Sequence, residues 1–323
     1  MDVHVPEQCA VSEAVIETNN LTKSFGNLIA VNDVDLSVPR GSAFGFVGPN
    51  GAGKTTFIRT LLGLTRRTSG DIRVLGCPIP EQREYALARV GAIIEEPRFH
   101  NHLTGRENLQ VVAAAREAET RLRIDPALAR VGLAQQAGKR VKKYSTGMRQ
   151  RLGIARCLIA DPFLLILDEP MNGLDPAGIE ELREMIRMLV GEGRTVFMSS
   201  HLLDEVQKTC DSVAIIDRGR ILMQGPVTDI TTTGHPNIRI RCDRQDKADE
   251  LIGDHPRVVR LQRENDATIV EIGAEPGGDL DAVIADLNRR LVAEGVSVFA
   301  LEAVRVSLEK RFLEMTSRLE AGE

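Results

Sequence analysis

Apolar and polar residues alternate from Val15 and again from Ile29 to Val38, a period of two that predicts half-buried antiparallel strands joined by turns such as Phe25-Gly26-Asn27. Ala43–Val47 is apolar throughout, as in a strand covered on both faces. It runs through a Gly-rich turn into a helix predicted over Lys54–Leu62 and stopped by Gly63. Ala92–Ile94 predicts another strand. From about Thr104 to Ala160 the spacing is helical, with Asp125-Pro126 as a helix start: a capping side chain, then a residue whose missing N–H costs nothing there. Strands return at Phe163–Leu167, Thr195–Met198 and Val213–Ile216, with a helix from about Ala177 to Val190.

Strand and helix in alternation predict a mostly parallel sheet with crossover helices, interrupted by one helical insertion at about 96–160. Residues 1–14 read as a polar tail, and the composition breaks at Thr231-Thr232-Thr233-Gly234-His235-Pro236, where a linker is expected. The expected domains are therefore 15–233 and 234–323. In the second, strands Asn237–Cys242, Arg257–Gln262, Thr268–Ile272 and Ser297–Leu301 and helices Asp246–Gly253 and Leu280–Ala293 give a βαββαβ order, that of a small ferredoxin-like α+β domain. A last helix, Ser307–Leu319, sets Leu308, Phe312, Met315 and Leu319 on one face.

Composition narrows the function classes. With 323 residues, 42% of them hydrophobic, the chain can bury a large core. A net charge of −5 argues against general affinity for nucleic acid. No run approaches the roughly 18 apolar residues of a membrane span, so any membrane path is expected from another polypeptide. Five dispersed cysteines with no CxxC pair fit a reducing compartment better than a disulfide framework or a zinc site.

Gly48-Pro49-Asn50-Gly51-Ala52-Gly53-Lys54-Thr55, followed by Thr56, satisfies GxxxxGK[ST] between a predicted strand and a predicted helix. The glycines let backbone amides wrap nucleotide phosphates at the positive end of the helix. Lys54 is expected to reach the outer phosphates and the Thr55 hydroxyl to bind Mg2+. Downstream, the apolar strand ends in Asp168-Glu169. Asp168 is placed to hold Mg2+ through water, and Glu169 to orient and deprotonate the attacking water.

Tyr144-Ser145-Thr146-Gly147-Met148-Arg149-Gln150-Arg151, shortly before that strand, narrows the reading. Ser145 can cap a helix, and Gly147 allows close backbone approach. The octet resembles the signature motif of the ABC transporter ATPases, and the resemblance covers about Val15–Ile230. It implies a P-loop ABC core with an antiparallel β subdomain and an inserted helical subdomain. It also implies that Ser145, Thr146, Gly147 and Met148 grip ATP bound to a second subunit in a head-to-tail dimer. Asp175, in Gly173-Leu174-Asp175, matches the D-loop. His201, after Ser199-Ser200, matches the switch histidine that senses the γ-phosphate. Phe25 stands where the family stacks an aromatic on adenine, with an ordinary core Phe as the alternative.

Where the family has a glutamine near Mg2+, this chain has Glu95 in Ile94-Glu95-Glu96-Pro97; the resemblance implies that Glu95 takes that place at the metal with Thr55 and Asp168, adding a full negative charge beside Asp168 and Glu169. The segment through Leu103-Thr104-Gly105-Arg106-Glu107-Asn108-Leu109 resembles the bacitracin and daunorubicin resistance branch. The resemblance implies an ATP-hydrolysing subunit, peripheral at the cytoplasmic face of the membrane, that powers export through a separately encoded polytopic subunit. A soluble ABC ATPase acting on ribosomes or DNA is the rival reading. It ordinarily carries two cassettes or a long coiled coil, and this chain has neither.

Overall fold

The computed structural model describes residues 12–116, 118–232, 237–273, 280–304 and 307–321. Most of the expected tail and linker residues lie outside these ranges. The chain divides into two compact units, Met1–Val227 and Thr228–Glu323.

The first unit opens with β1 (Ala14–Phe25), β2 (Leu28–Pro39), the fully buried β3 (Ala43–Val47) and α1 (Lys54–Leu61). Next come β4 (Ser69–Val74), β5 (Cys77–Pro78), α2 (Arg83–Leu87) and β6 (Val90–Ile93). The helical insertion contains α3 (Gly105–Ala114), α4 (Ile124–Arg130) and α5 (Thr146–Leu158). It is followed by β7 (Leu164–Leu167), α6 (Pro176–Gly191), β8 (Thr195–Ser200), α7 (Leu203–Thr209), β9 (Ser212–Asp217) and β10 (Arg220–Pro226); the short α8 (Val227–Thr232) begins at the unit's last residue.

Two sheets result. One is antiparallel, in the order β2-β1-β4-β5; the other runs β10-β9-β3-β8-β7-β6, parallel except for β10. The parallel register pairs Val47 with Ser200, Leu167 with Met198 and Ile93 with Leu167, so the carboxyl ends of β3, β8, β7 and β6 share one edge. That edge is where α/β sheets bind ligands. Packing fixes α1 beneath it. Phe57, on α1, stacks on Phe46 of β3 with ring centroids 4.7 Å apart, and both meet Phe197 of β8. All three are fully buried, and each such ring pair adds about 0.5–1.5 kcal/mol beyond area burial.

The sequence pattern missed β4, β5 and β10: β5 is two residues long, β4 alternates only over Asp71–Val74, and β10 sets Ile221-Leu222-Met223 in a row without alternation. The helix start at Asp125-Pro126 also needs correction. α4 begins at Ile124 behind a 3-10 turn over Ala118–Arg123, and no side chain caps it. The 3-10 turn delivers the chain already coiled, and the Asp125 carboxylate is taken by Arg106. Helical spacing does begin at Thr104, where Thr104 and Glu107 close a reciprocal capping box at the start of α3. Cys157 and Cys210 are buried free thiols, and burial pushes the Cys157 pKa up to about 11. Cys77 is disulfide-bonded, so the expectation of unpaired thiols fails there.

The second unit contains β11 (Asn237–Cys242), α9 (Gln245–Gly253), β12 (Val258–Glu264), β13 (Ala267–Ile272), α10 (Leu280–Ala293), β14 (Val298–Val304) and α11 (Leu308–Ala321). The sheet is antiparallel in the order β12-β13-β11-β14, the ferredoxin-like arrangement. Ile238, Ile240, Val270 and Ile272 pack against Ala248, Ile252, Leu287 and Leu291 of α9 and α10. On α11, Leu308 is buried and Phe312 and Met315 are half-buried; the Leu319 side chain lies outside the described residues.

One buried group makes this unit sensitive to pH. The His255 ring accepts the Arg257 amide at Nδ1 (3.1 Å), and its Nε2 lies 3.4 Å from Asp286 of α10. Burial and the Arg290 charge hold its pKa below the usual 6.5, against the opposing pull of Asp286. The folded state therefore resists a proton that the unfolded state takes up. Stability is fully present above about pH 6.5 and is lost as pH falls below it, by at most about 1.4 kcal/mol per pH unit. Denaturant unfolding of the full chain between pH 8 and 5 should show this slope, and His255→Gln should flatten it.

Candidate functional site

The site grows from the β3–α1 connection. Gly53 caps α1 with φ of 105°, and a Cβ there would fall 2.2 Å from the Ala30 carbonyl oxygen; at Gly48 it would fall 2.1 Å from that of Ile216. Only glycine fits either position. The first turn of α1 leaves amides without intrahelical partners, which gives the loop its anion-binding character. Lys54 is 6% exposed; its Nζ donates to the carbonyls of Gly48 (2.7 Å) and Pro49 (3.2 Å).

Across the sheet edge, β7 delivers Asp168 and Glu169. Asp168 is 2% exposed. Glu169 has a left-handed backbone, φ 47°, which for a non-glycine residue costs on the order of 1–3 kcal/mol unless its surroundings hold it. Its Oε1 lies 3.0 Å from Lys54 Nζ, an ion pair rather than an aligned hydrogen bond, and its Oε2 lies 2.9 Å from His201 Nδ1. Three residues from three connections, Lys54, Glu169 and His201, thus form one contiguous polar chain.

A cavity of about 860 Å3 opens beside this chain, lined by Thr55, Glu95, Thr146, Asp168 and Glu169 among others. Its donor set suits a small hard cation that keeps several waters: a hydroxyl and a buried carboxylate, with no cluster of three His, Cys, Asp or Glu side chains among the described residues. Glu95 differs from expectation. Its Oε1 is 2.6 Å from Arg59 Nη2 and its backbone is left-handed at φ 60°. Its charge is therefore compensated by Arg59 rather than added bare to Asp168 and Glu169. Arg59 lies four residues after Thr55, one helical turn along the same face, but the sequence offered no sign that it meets Glu95.

The loop after Glu95 is tied to α5. Arg149 donates to the Asn101 side chain at 3.1 Å, and Arg156 lies 5.3 Å above the Phe99 ring. At the start of α5, Ser145 accepts the Met148 amide at 3.2 Å, the cap its position suggested. Gly147 is different from Gly48 and Gly53: a Cβ there would meet nothing nearer than Leu174 Cδ2 at 3.6 Å. Among the described residues, nothing requires glycine at that position. Asp175 accepts the Gly178 amide at 3.0 Å and caps α6. Phe25 ends β1, is 51% exposed, and has Lys23 Nζ 4.5 Å from its ring centroid. An ordinary core phenylalanine is therefore excluded.

A phosphate-binding loop, an acidic strand end and a histidine loop on one parallel sheet, with a capped helix facing the same cavity, define a P-loop ATPase of the transporter cassette type. Residues 31–172 match the family described as ABC transporter. The chain is 38% identical to the bacitracin transport ATP-binding protein of Bacillus licheniformis, over 93% of this chain and 97% of that protein. It is 43% identical to the lantibiotic transport ATP-binding protein of Streptococcus pyogenes, over 65% and 90%. A solved ATP-binding subunit of an ABC transporter superposes with a TM-score of 0.60 at 31% identity, covering 67% of this chain and 91% of that one. The chain belongs to the ABC transporter ATP-binding family, and its activity is ATP binding and hydrolysis. Among the described residues, no helix is long and apolar enough to cross a membrane.

Proposed function

We propose that this chain hydrolyses Mg-ATP as one of two subunits in a head-to-tail dimer. In this reading it is docked at the cytoplasmic face of a separately encoded membrane protein and drives export of an antibiotic-like substrate. The Lys54–Glu169–His201 chain carries the catalytic part of the reading. Full-length similarity to a bacitracin transport protein supports the transport part over action on ribosomes or DNA.

The loop Gly48–Thr56 and the first turn of α1 hold the phosphates, and Phe25 stacks on adenine. Lys54 leaves Glu169 for the arriving γ-phosphate, exchanging one anion for another. Glu169, freed on that side and still held by His201, takes a proton from the attacking water as its oxygen bonds to phosphorus and the bond to the ADP oxygen breaks. Thr55 and Asp168 would hold Mg2+, which when bound neutralises charge developing on the phosphates. Ser145, Thr146, Gly147, Met148 and Asp175 serve the nucleotide of the opposite subunit.

Affinity isolation of the tagged chain from detergent-solubilised membranes of its own host tests the transport reading. A co-purifying polytopic polypeptide that stimulates ATP hydrolysis is the expected result; recovery with ribosomes alone would overturn it.

Glu95 yields a second expectation. Because Arg59 already balances its charge, Glu95→Gln should leave ATP binding within about threefold, and Arg59→Ala should shift the Mg2+ concentration for half-maximal activity more than Glu95→Gln does. An exposed pair is worth only about 0–1 kcal/mol, so these shifts should stay under about tenfold. Mg2+ titration of ATPase activity for both variants decides, and no shift in either removes Glu95 from the metal's surroundings.

A further inference from the structure

Ser199, the penultimate residue of β8, is fully buried. Its Oγ accepts the Glu169 amide at 2.9 Å and donates to Asp168 Oδ1 at 2.5 Å. The direction is fixed by chemistry: an amide N–H can only donate, so the single hydroxyl proton is left for the carboxylate oxygen. The second bond has the short length of a hydroxyl donating to a carboxylate, and two bonds in series polarise one another. One hydroxyl therefore does two things. It holds Glu169 in its left-handed backbone conformation, and it occupies one oxygen of Asp168 so that the other remains for a different partner.

The next two residues extend the connection. The Ser200 carbonyl accepts the Gly48 amide at 3.2 Å, and His201 reaches Glu169. The end of β8 thus touches the phosphate loop, the acidic pair and the base through three consecutive residues.

We infer that Ser199 is a positioning residue for hydrolysis: its hydroxyl sets the orientation of Asp168 and the backbone of Glu169. The inference rests on the roles proposed above for those two carboxylates. Losing such a supporting bond typically costs 10–100-fold in activity or metal affinity. For Ser199→Ala, kcat should fall by about that factor with KM for ATP within about threefold, and half-maximal activity should need more Mg2+. Ser199→Thr, which keeps the hydroxyl, should recover most of kcat. A merely structural serine would lower the melting temperature without moving the Mg2+ dependence. A kcat for Ser199→Ala within about threefold of wild type, beside an inactive Glu169→Gln control, overturns the inference while leaving the role of Glu169 intact. An active Glu169→Gln overturns both. Should Ser199→Ala fail to fold, Ser199→Cys, a poor donor of similar size, is read the same way: reduced kcat at unchanged KM supports the inference, and wild-type kcat overturns it.

Discussion

Replacing Glu169 by Gln is expected to leave ATP binding intact while steady-state hydrolysis falls by about 10²–10⁴, the usual worth of a positioned general base. Gln keeps the size of the side chain and can still meet His201, but it cannot take the water's proton. It also removes the negative partner of Lys54, 3.0 Å away, so the lysine turns to the γ-phosphate more readily and ATP binding should tighten rather than weaken. The variant should accumulate as an ATP-bound dimer. Phosphate release and nucleotide binding measured on the same preparation check both halves. Hydrolysis within a few-fold of wild type would remove Glu169 as the base.

Ser145→Arg is expected to abolish ATP-dependent dimerisation while each monomer still binds ATP. Within one subunit Ser145 only caps α5 through the Met148 amide, and losing such a cap costs about 1 kcal/mol, too little to unfold the domain. The surface beside it has room: among the described residues, a Cβ at Gly147 would meet nothing nearer than Leu174 Cδ2 at 3.6 Å. A bulky cation there is tolerable for the monomer and obstructive only if another subunit's nucleotide must approach. Light scattering in the Glu169→Gln background, with and without ATP, reads the outcome. Dimerisation equal to the parent's would end the argument that the signature segment acts across an interface.

Much of the fold was legible because local pattern reports local geometry. The uninterrupted apolar runs at Ala43–Val47 and Leu164–Leu167 became central parallel strands, since a strand covered on both faces has no place for polar side chains. The βαββαβ order of the second unit was legible for the same reason. Strands β4 and β10 were not: β4 alternates only over Asp71–Val74, too short a run to stand out, and β10, at the edge of its sheet, sets Ile221-Leu222-Met223 in a row with no alternation before Gly225. At the site, the sequence by itself determined the residues whose backbone chemistry is self-contained: the glycines of the phosphate loop, the Ser145 cap and the acidic end of β7. Which side chains meet was decided by tertiary structure alone. Lys54 and Glu169 are 115 positions apart, Glu169 and His201 32, Ser199 and Asp168 31, and Arg59 and Glu95 36. The first three pairs are set by strand order and register, because a parallel sheet brings the ends of β3, β7 and β8 to one edge whatever their separation along the chain; Arg59 meets Glu95 from α1, just past the end of β6. No periodicity within one segment can encode the partner supplied by another.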